Sequence, residues 1–455
     1  MATEDSLLRH RDIPGARFFC MNNATTRQDL LFEGLPGPVR LVLPAEEMEE
    51  AYGQYALWPH ACVSQKGEPL LLLRPEGENE DFSANVEVDG DGPYILEKDP
   101  TLDFGVRREE SLAAGLCSLN IAMVTHLCRS RGLLCLHGAL LSPDSENSDE
   151  ASSGLLILGN NRAGKSTLTV RLMAEGLVSH GDDMLGLEPE GTMIALGIAP
   201  RLRLPLPASA RLADFVAKHR GTGDERATFL VPNAAIMSPF GTRCRAGHIV
   251  VLERRAEETP ARLVRLEQAE ALDELVFRFY LQEGTALSAL ECATRLASTV
   301  PCHVLVYSDL DEACALLASL LAGEDIESAT LSEGPCKRPA PSYSLSRLKE
   351  EDDNEGAQPP ELPQILPEQE YRQCEGAELV TCLGKSFLAN REQNDLHALN
   401  ETGRVLWLML ADPISVAEAS LLVREAYPMI SRAQIKEDVC NLFADLLDAG
   451  LIEPA

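Results

Sequence analysis

At 455 residues, 45% of them hydrophobic, with a formal net charge of −31, the chain is too long for one core and too apolar to stay unfolded, so two or three domains are expected. That acidity argues against nucleic acid or an anionic membrane surface as a general partner, because phosphates would be repelled; it suits a cationic peptide, and solubility alone explains it equally well. Thirteen scattered cysteines without a C-x-x-C pair read as reduced thiols of a cytoplasmic chain, the polar N-terminus carries no signal peptide, and no stretch approaches eighteen apolar residues, so no membrane span is expected.

Residues 1–105 offer short β-rich runs, Val39 to Leu43, Leu70 to Leu73 and Ala84 to Val88, separated by Gly, Pro and acidic clusters. They predict an α+β region of unassigned task. From Arg108 to Arg131 a helix is expected, with Leu112, Leu116, Leu119, Met123 and Leu127 as a core stripe. Leu133 to Leu141 reads as one buried strand holding His137 and Gly138. A lone histidine in an apolar strand is usually a satisfied core residue. Here, though, the acidic loop 142–153 and the strand Leu155 to Leu158 complete a hairpin that can set His137 beside the glycine-rich segment after Leu158.

That segment is Gly159-Asn160-Asn161-Arg162-Ala163-Gly164-Lys165-Ser166, then Thr167, the G-x-x-x-x-G-K-[ST] phosphate loop between a strand and a helix. The helix start offers unpaired amides and the positive end of a dipole. Lys165 would neutralise phosphate charge and the Ser166 hydroxyl would ligate magnesium. The plain alternative is a glycine turn. After Gly176 a short strand, Leu177 to Ser179, leads to Gly181-Asp182-Asp183. Of two carboxylates there, one can hold magnesium and the other can take a proton from an attacking hydroxyl; the alternative is a solvated turn.

Arg201 and Arg203 lie between prolines in Gly197 to Pro207, suited either to clamp phosphate or acceptor or to face water on an edge strand. Thr222 to Arg245, with Arg226, Arg243 and Arg245, reads as a loop-rich, substrate-facing segment. Strands are expected at His248 to Glu253 and Val300 to Ser308, and helices at Ala269 to Gln282, Leu287 to Ser298 and Asp309 to Leu321. Residues 325–372 change to Glu, Pro, Ser and Asp with no apolar period and read as an extended tether. The chain folds again over 373–455: paired strands Ala377 to Cys382 and Lys385 to Ala389, then three helices. Ser415 with Glu418, and Ser431 with Gln434, mark two helix starts. Ile435, Val439, Leu442, Phe443, Leu446 and Leu447 form one stripe of the third helix, which Gly450 ends. This suggests a small winged helix whose acidic third helix argues against DNA.

Two family resemblances emerge. On Leu136-His137-Gly138, Gly159 to Ser166 and Asp182-Asp183, residues 106–324 resemble the catalytic domain of HPr kinase/phosphorylase, and more closely the HPr kinase-related proteins. The resemblance implies an α/β phosphate-loop serine kinase using ATP and Mg²⁺: the loop residues Gly159 to Thr167 hold the nucleotide, Ser166 and Asp183 bind the metal, Asp182 is the base and His137 stands near them. The two aspartates can exchange roles. Asn161 and Arg162 replace the family's usual Ser and Gly, and no counterpart of its later HPr-contacting loop is found, so neither HPr as substrate nor the reverse reaction is implied. On Leu399-Asn400-Glu-Thr402-Gly403-Arg-Val-Leu-Trp407, Val416, Tyr427-Pro428, Asp438-Val439 and Leu447-x-x-Gly450-Leu451-Ile452, residues 373–455 resemble a PqqD-like peptide-recognition domain. That implies capture of the leader of a ribosomally made precursor peptide as a strand added to the wing, with Leu379, Val380, Phe387, Leu388, Val439 and Phe443 as the dock.

The fusion leads to an expected function: an ATP-dependent kinase of a Ser or Thr hydroxyl on a leader-recruited peptide. A kinase of a small hydroxylated metabolite and a nucleotide-switched peptide chaperone for a partner modifying enzyme are the alternatives. Self-association into a homo-oligomer stays open.

Overall fold

The computed structural model describes residues 25–63, 69–75, 88–89, 92–98, 106–143, 153–160, 162–281, 285–324, 331–333, 343–344, 363–390 and 395–455. Its described residues form a mixed α/β fold with ten helices and five sheets. Asn161, most of the expected run Ala84 to Val88 and most of the expected tether lie outside them.

Seven strands make the first sheet, in the order His60–Val63, Thr25–Phe32, Val39–Pro44, Leu71–Pro75, Tyr94–Lys98, Val106–Glu109, Val88–Asp89. Helices α1 (Ala45–Gln54) and α2 (Leu112–Arg131) bury its inner face. Ser111 caps α2 by accepting from the Ala114 amide (3.2 Å), and Gly132, at φ 64°, ends it. The stripe Leu112, Leu116, Leu119, Met123 and Leu127 is buried as expected. α2 is nevertheless long and apolar enough to cross a membrane by composition, contrary to the expectation from sequence, because its charges sit only at its end. Two thirds of that apolar window is buried inside the protein. The same core takes in Leu133, Cys135, Met184, Leu196 and Phe229, so the expected boundary at 105/106 cuts through continuous packing.

The second sheet has eleven strands. Its centre is parallel: Ser153–Leu158 and Cys302–Tyr307 flank Arg243–Arg254. Leu155 to Leu158 are wholly buried because the strand is covered on both faces, Leu156 and Leu158 toward one core, Leu155 and Ile157 toward another. Helices α3 (Lys165–Met173), α4 (Ala210–His219), α5 (Gln268–Val276), α6 (Ala286–Thr299) and α7 (Leu310–Leu321) surround it. Two expectations are corrected here. Leu133 to Leu141 is two strands, Leu134–His137 and Ala139–Pro143, broken at Gly138. The helix expected to Gln282 stops at Val276, because Phe279–Tyr280 pairs instead with Leu136 and Cys135; a short apolar run suits either state until a partner strand decides.

At the C-terminal end a four-stranded sheet runs Tyr343–Ser344, Asp395–Leu399, Lys385–Asn390, Ala377–Cys382. Helices α8 (Glu401–Met409), α9 (Val416–Ala426) and α10 (Arg432–Asp448) come after it in the chain. Ser415 and Glu418 form the expected capping box, and Ser431 caps α10 through the Gln434 amide. Glu370–Gln373 pairs with Ile414–Ser415 and Ile452–Pro454, and Ile365 is buried, so folded structure begins within the expected tether.

Candidate functional site at a double chain crossing

Two chain segments cross the large sheet at one place. Leu134–His137 passes to Ala139–Pro143 through Gly138; Leu177–Gly181 passes to Met184–Leu187 through Asp182 and Asp183. The crossings are tied by the Gly138 amide donating to the Asp183 carbonyl (3.2 Å). A Cβ at Gly138 would lie 3.0 Å from the Ile157 carbonyl oxygen, so only glycine lets the crossing lie this close to the Ser153–Leu158 strand. That parallel strand ends at Leu158, and the glycine-rich loop leaves from it into α3. Crevices at the carboxyl ends of parallel strands are where α/β sheets bind ligands.

The loop residues take the form that phosphate binding needs. Gly164 is the N-cap of α3 at φ 96°, with no side-chain cap for the helix, which leaves the start of α3 suited to an anion. Lys165 is buried and its Nζ donates to the carbonyls of Gly159 (3.0 Å) and Asn160 (3.2 Å). Arg162 is exposed at φ 60°. Ala163 donates its amide to the Asn160 carbonyl (3.1 Å), which closes the loop. Ser166 and Thr167 are half-buried on the first turn of α3.

Asp182 and Asp183, adjacent in sequence, stand in opposite surroundings. Asp182 is buried; it accepts hydrogen bonds from the Ser166 hydroxyl and the Asp183 amide, while its Oδ1 is buried with no hydrogen-bond partner. Burial, then the neighbouring Asp183 charge, push its carboxyl up to about 7. Asp183 has a side chain 52% exposed, and its Oδ1 meets His137 Nε2 at 3.1 Å. The protein on its closed sides works to raise its pKa, but the His137 hydrogen bond and charge, with Lys165 and Arg201 behind them, hold it below the ordinary carboxylate range. Asp183 sits at φ 73°, a conformation that costs a non-glycine residue about 1 kcal/mol or more and gathers at functional sites. Ser166 thus pairs with Asp182, and His137 with Asp183, where the expectation from sequence sets Ser166 with Asp183.

The Asp182 carboxyl, with one buried oxygen left without a partner, and the Ser166 hydroxyl beside it are a donor set that fits a divalent cation. Among the described residues no three His, Cys, Asp or Glu side chains cluster as a metal cage. Magnesium does not need one, since it keeps water and substrate phosphates in most positions.

Of the two expected arginines, Arg201 reaches this corner: its charge acts on Asp183, and its Nε is buried without a hydrogen-bond partner. Arg203 is exposed on the same edge strand, Arg201–Arg203. The expected substrate-facing arginines are engaged elsewhere, Arg226 with Glu110, Arg243 with Glu188 and Arg245 with Thr192 (3.4 Å). Sequence reasoning missed Arg278. It is 2% exposed, its Nη2 donates to Asn160 Oδ1 (2.5 Å), and its carbonyl accepts the His137 amide (2.8 Å). The legible signal was a lone arginine among aromatics in Phe277-Arg278-Phe279-Tyr280.

The expected peptide dock is partly corrected. Phe387, Leu388 and Phe443 are 1%, 0% and 0% exposed, so their side chains are spent on packing. Phe387 faces the core shared with α5 and α6, while Leu388 and Phe443 face the core of α8 to α10. Leu379 and Val380 are half-buried on Ala377–Cys382, which among the described residues pairs on one side only. Val439 is buried and lines a cavity of about 410 Å³ between α8, α9 and α10, with Leu406, Val423, Ile435 and Asp438.

Residues 386–452 match the family model described as Coenzyme PQQ synthesis protein D (PqqD), inside the C-terminal segment expected to be of that type. Among solved structures, the Hpr(Ser) kinase/phosphatase from Coxiella burnetii is similar at 15% identity, over 42% of this chain and 93% of that one, with a TM-score of 0.21. No curated protein matches the chain.

Proposed function

We propose that this protein is an ATP-dependent phosphotransferase acting on a Ser or Thr hydroxyl of a ribosomally made precursor peptide, whose leader is captured by the PqqD-type C-terminal region. The observation that carries the reading is the convergence of Lys165, Ser166, Asp182, Asp183 and His137 at the start of α3, with one Asp182 oxygen uncommitted.

In this reading the Gly159–Thr167 loop and the start of α3 hold the phosphates of ATP, and Lys165 turns from the Gly159 and Asn160 carbonyls to the phosphate oxygens. Ser166 and Asp182 would hold Mg²⁺, which when bound neutralises charge on the transferring phosphoryl group. Asp183, aimed by His137 and open to the cleft, takes the proton from the acceptor hydroxyl. The hydroxyl oxygen bonds to the γ-phosphorus, the bond from that phosphorus to the β–γ bridging oxygen breaks, and the electron pair leaves on ADP. Arg201 steadies charge on the incoming side. The leader adds as a strand along the edge of Ala377–Cys382 that faces no other described strand, where backbone hydrogen bonds give affinity and half-buried Leu379 and Val380 give specificity. Capture on the same chain raises the local concentration of the acceptor segment. The free thiols among the described cysteines are consistent with a cytoplasmic setting.

The test is purified protein with labelled ATP, magnesium and precursor peptides encoded beside its gene. Transfer of label to peptide supports the reading. Transfer to a small hydroxylated compound without peptide replaces it with a metabolite kinase, and peptide binding without any transfer replaces it with a chaperone.

A further inference from the structure

The C-terminal sheet does not stand apart from the phosphate corner. One face packs on α8 to α10; the other, through Phe387, Ala389 and Leu396, enters the core that holds Leu272, Leu275, Val276, Leu136 and Leu158. The hairpin joining Ala377–Cys382 to Lys385–Asn390 turns on Leu383 at φ 49° and Gly384 at φ 80°, the two positive values of a tight hairpin turn. A leucine there is strained, and it packs against that same central core. Beside it Lys385 Nζ meets Asp273 Oδ2 of α5 at 2.6 Å, both side chains 31% exposed. The next residue on α5, Glu274, meets Arg278 Nη2 at 3.4 Å, and that same nitrogen donates to Asn160 of the phosphate loop. The Arg278 carbonyl holds the His137 amide, and His137 holds Asp183.

We infer that Arg278 is a positioning residue for nucleotide binding, and that the docked C-terminal hairpin sets its geometry through α5. Arg278 grips the loop by donating from its guanidinium to Asn160 and holds the His137 strand by accepting at its backbone carbonyl, so a shift of α5 moves both halves of the corner together. The hairpin holds α5 through the Lys385–Asp273 ion pair, and Leu383 and Phe387 pack on the same core that α5 enters. The inference rests on the nucleotide-binding reading of the loop and adds a route by which the peptide-capturing region acts on it.

The experiment uses the full chain, a fluorescent ATP analogue with magnesium chloride, and thermal unfolding in parallel. Arg278→Lys keeps the charge but loses the planar fork. It is expected to weaken analogue binding by on the order of tenfold. Lys385→Ala and Asp273→Ala, at partly exposed positions, are each expected to weaken it by on the order of threefold to fivefold. The reciprocal pair Lys385→Asp with Asp273→Lys is expected to recover most of that loss. Lower unfolding temperatures with unchanged analogue affinity would mean these residues only hold the fold, and would overturn the inference. So would loss in the single variants without recovery in the reciprocal pair. Failure of the wild-type protein to bind the analogue would remove the nucleotide reading itself. Wild-type binding with insensitive variants would remove this inference alone.

Discussion

At the corner, polar atoms stay uncommitted. Asp182 Oδ1 and Arg201 Nε are buried without partners, and Asp183 and Arg162 hold left-handed backbone. In the C-terminal sheet the strand Lys385–Asn390 is committed to packing: Phe387 and Leu388 point to opposite faces and both are buried. Both regions carry strain and unpaired polarity, but at the corner they lie beside half-exposed Asp183, where a ligand can relieve them, whereas in the C-terminal sheet Leu383 at φ 49° and the partnerless ring nitrogens of His397 sit within packing. On the proposed function the first reacts and the second is added to.

The sharpest way to break that comparison is to remove a corner residue. Lys165→Ala and Asp182→Asn are each expected to lower phosphoryl transfer by at least about a thousandfold, measured as labelled product, with peptide affinity unchanged. Asp183→Asn and His137→Ala separate the two aspartates. If Asp183 is the base aimed by His137, both variants lose turnover, roughly a hundredfold or more, while keeping the magnesium dependence of nucleotide binding; Asp182→Asn instead loses that dependence. The opposite pattern restores the assignment of Asp182 as base.

In the C-terminal sheet the largest effect is on stability. Phe387→Ala should cost about 3–5 kcal/mol by cavity formation, read by denaturant unfolding. Leu379→Ser, on the edge strand, should leave stability within about 1–2 kcal/mol of wild type and weaken leader binding by on the order of tenfold. Equal effects of both changes on peptide affinity at matched stability would erase the distinction between packed face and open edge.

The same contrast governs what the sequence disclosed. The phosphate loop is contiguous, so Gly159 to Ser166 announced itself, and helix starts such as Ser415 with Glu418 are local chemistry. The break at Gly138 was hidden because Leu-Leu-Cys-Leu-His-Gly-Ala-Leu-Leu is apolar throughout, and only the crossing at Asp183 divides it. The pairing of Ser166 with Asp182 and the grip of Arg278 on Asn160 join residues far apart in the chain, which no local period reports. For the sheet a signal was present: Phe387-Leu388-Ala389 is an apolar run without alternation, which marks a strand buried on both faces rather than one with an open side.

The smallest expected effect is a pH dependence that tells the corner from the packed regions. His180, His303 and His397 are buried and held down to about 4 by that burial. Their unfolded-state values are near 6.5, so between about 6.5 and 4 the unfolded chain binds more protons. Their contribution to stability is therefore complete above about 6.5 and is lost as pH falls toward 4. Asp182 runs the other way: held up to about 7 against an unfolded value near 3.9, it binds its proton more tightly when folded. Its burial costs nothing below about 4 and progressively destabilises the fold as pH rises to 7. Asp182→Asn should therefore raise the unfolding temperature by roughly 2–4 °C at pH 8 and leave it nearly unchanged at pH 4. Magnesium should narrow the gap at pH 8 by stabilising wild type, since only there is the ionised carboxylate present to receive it. A variant no more stable than wild type at pH 8 would mean that the Asp182 carboxyl is not held protonated by its burial, and the buried half of the aspartate pair would lose its claim to the cation.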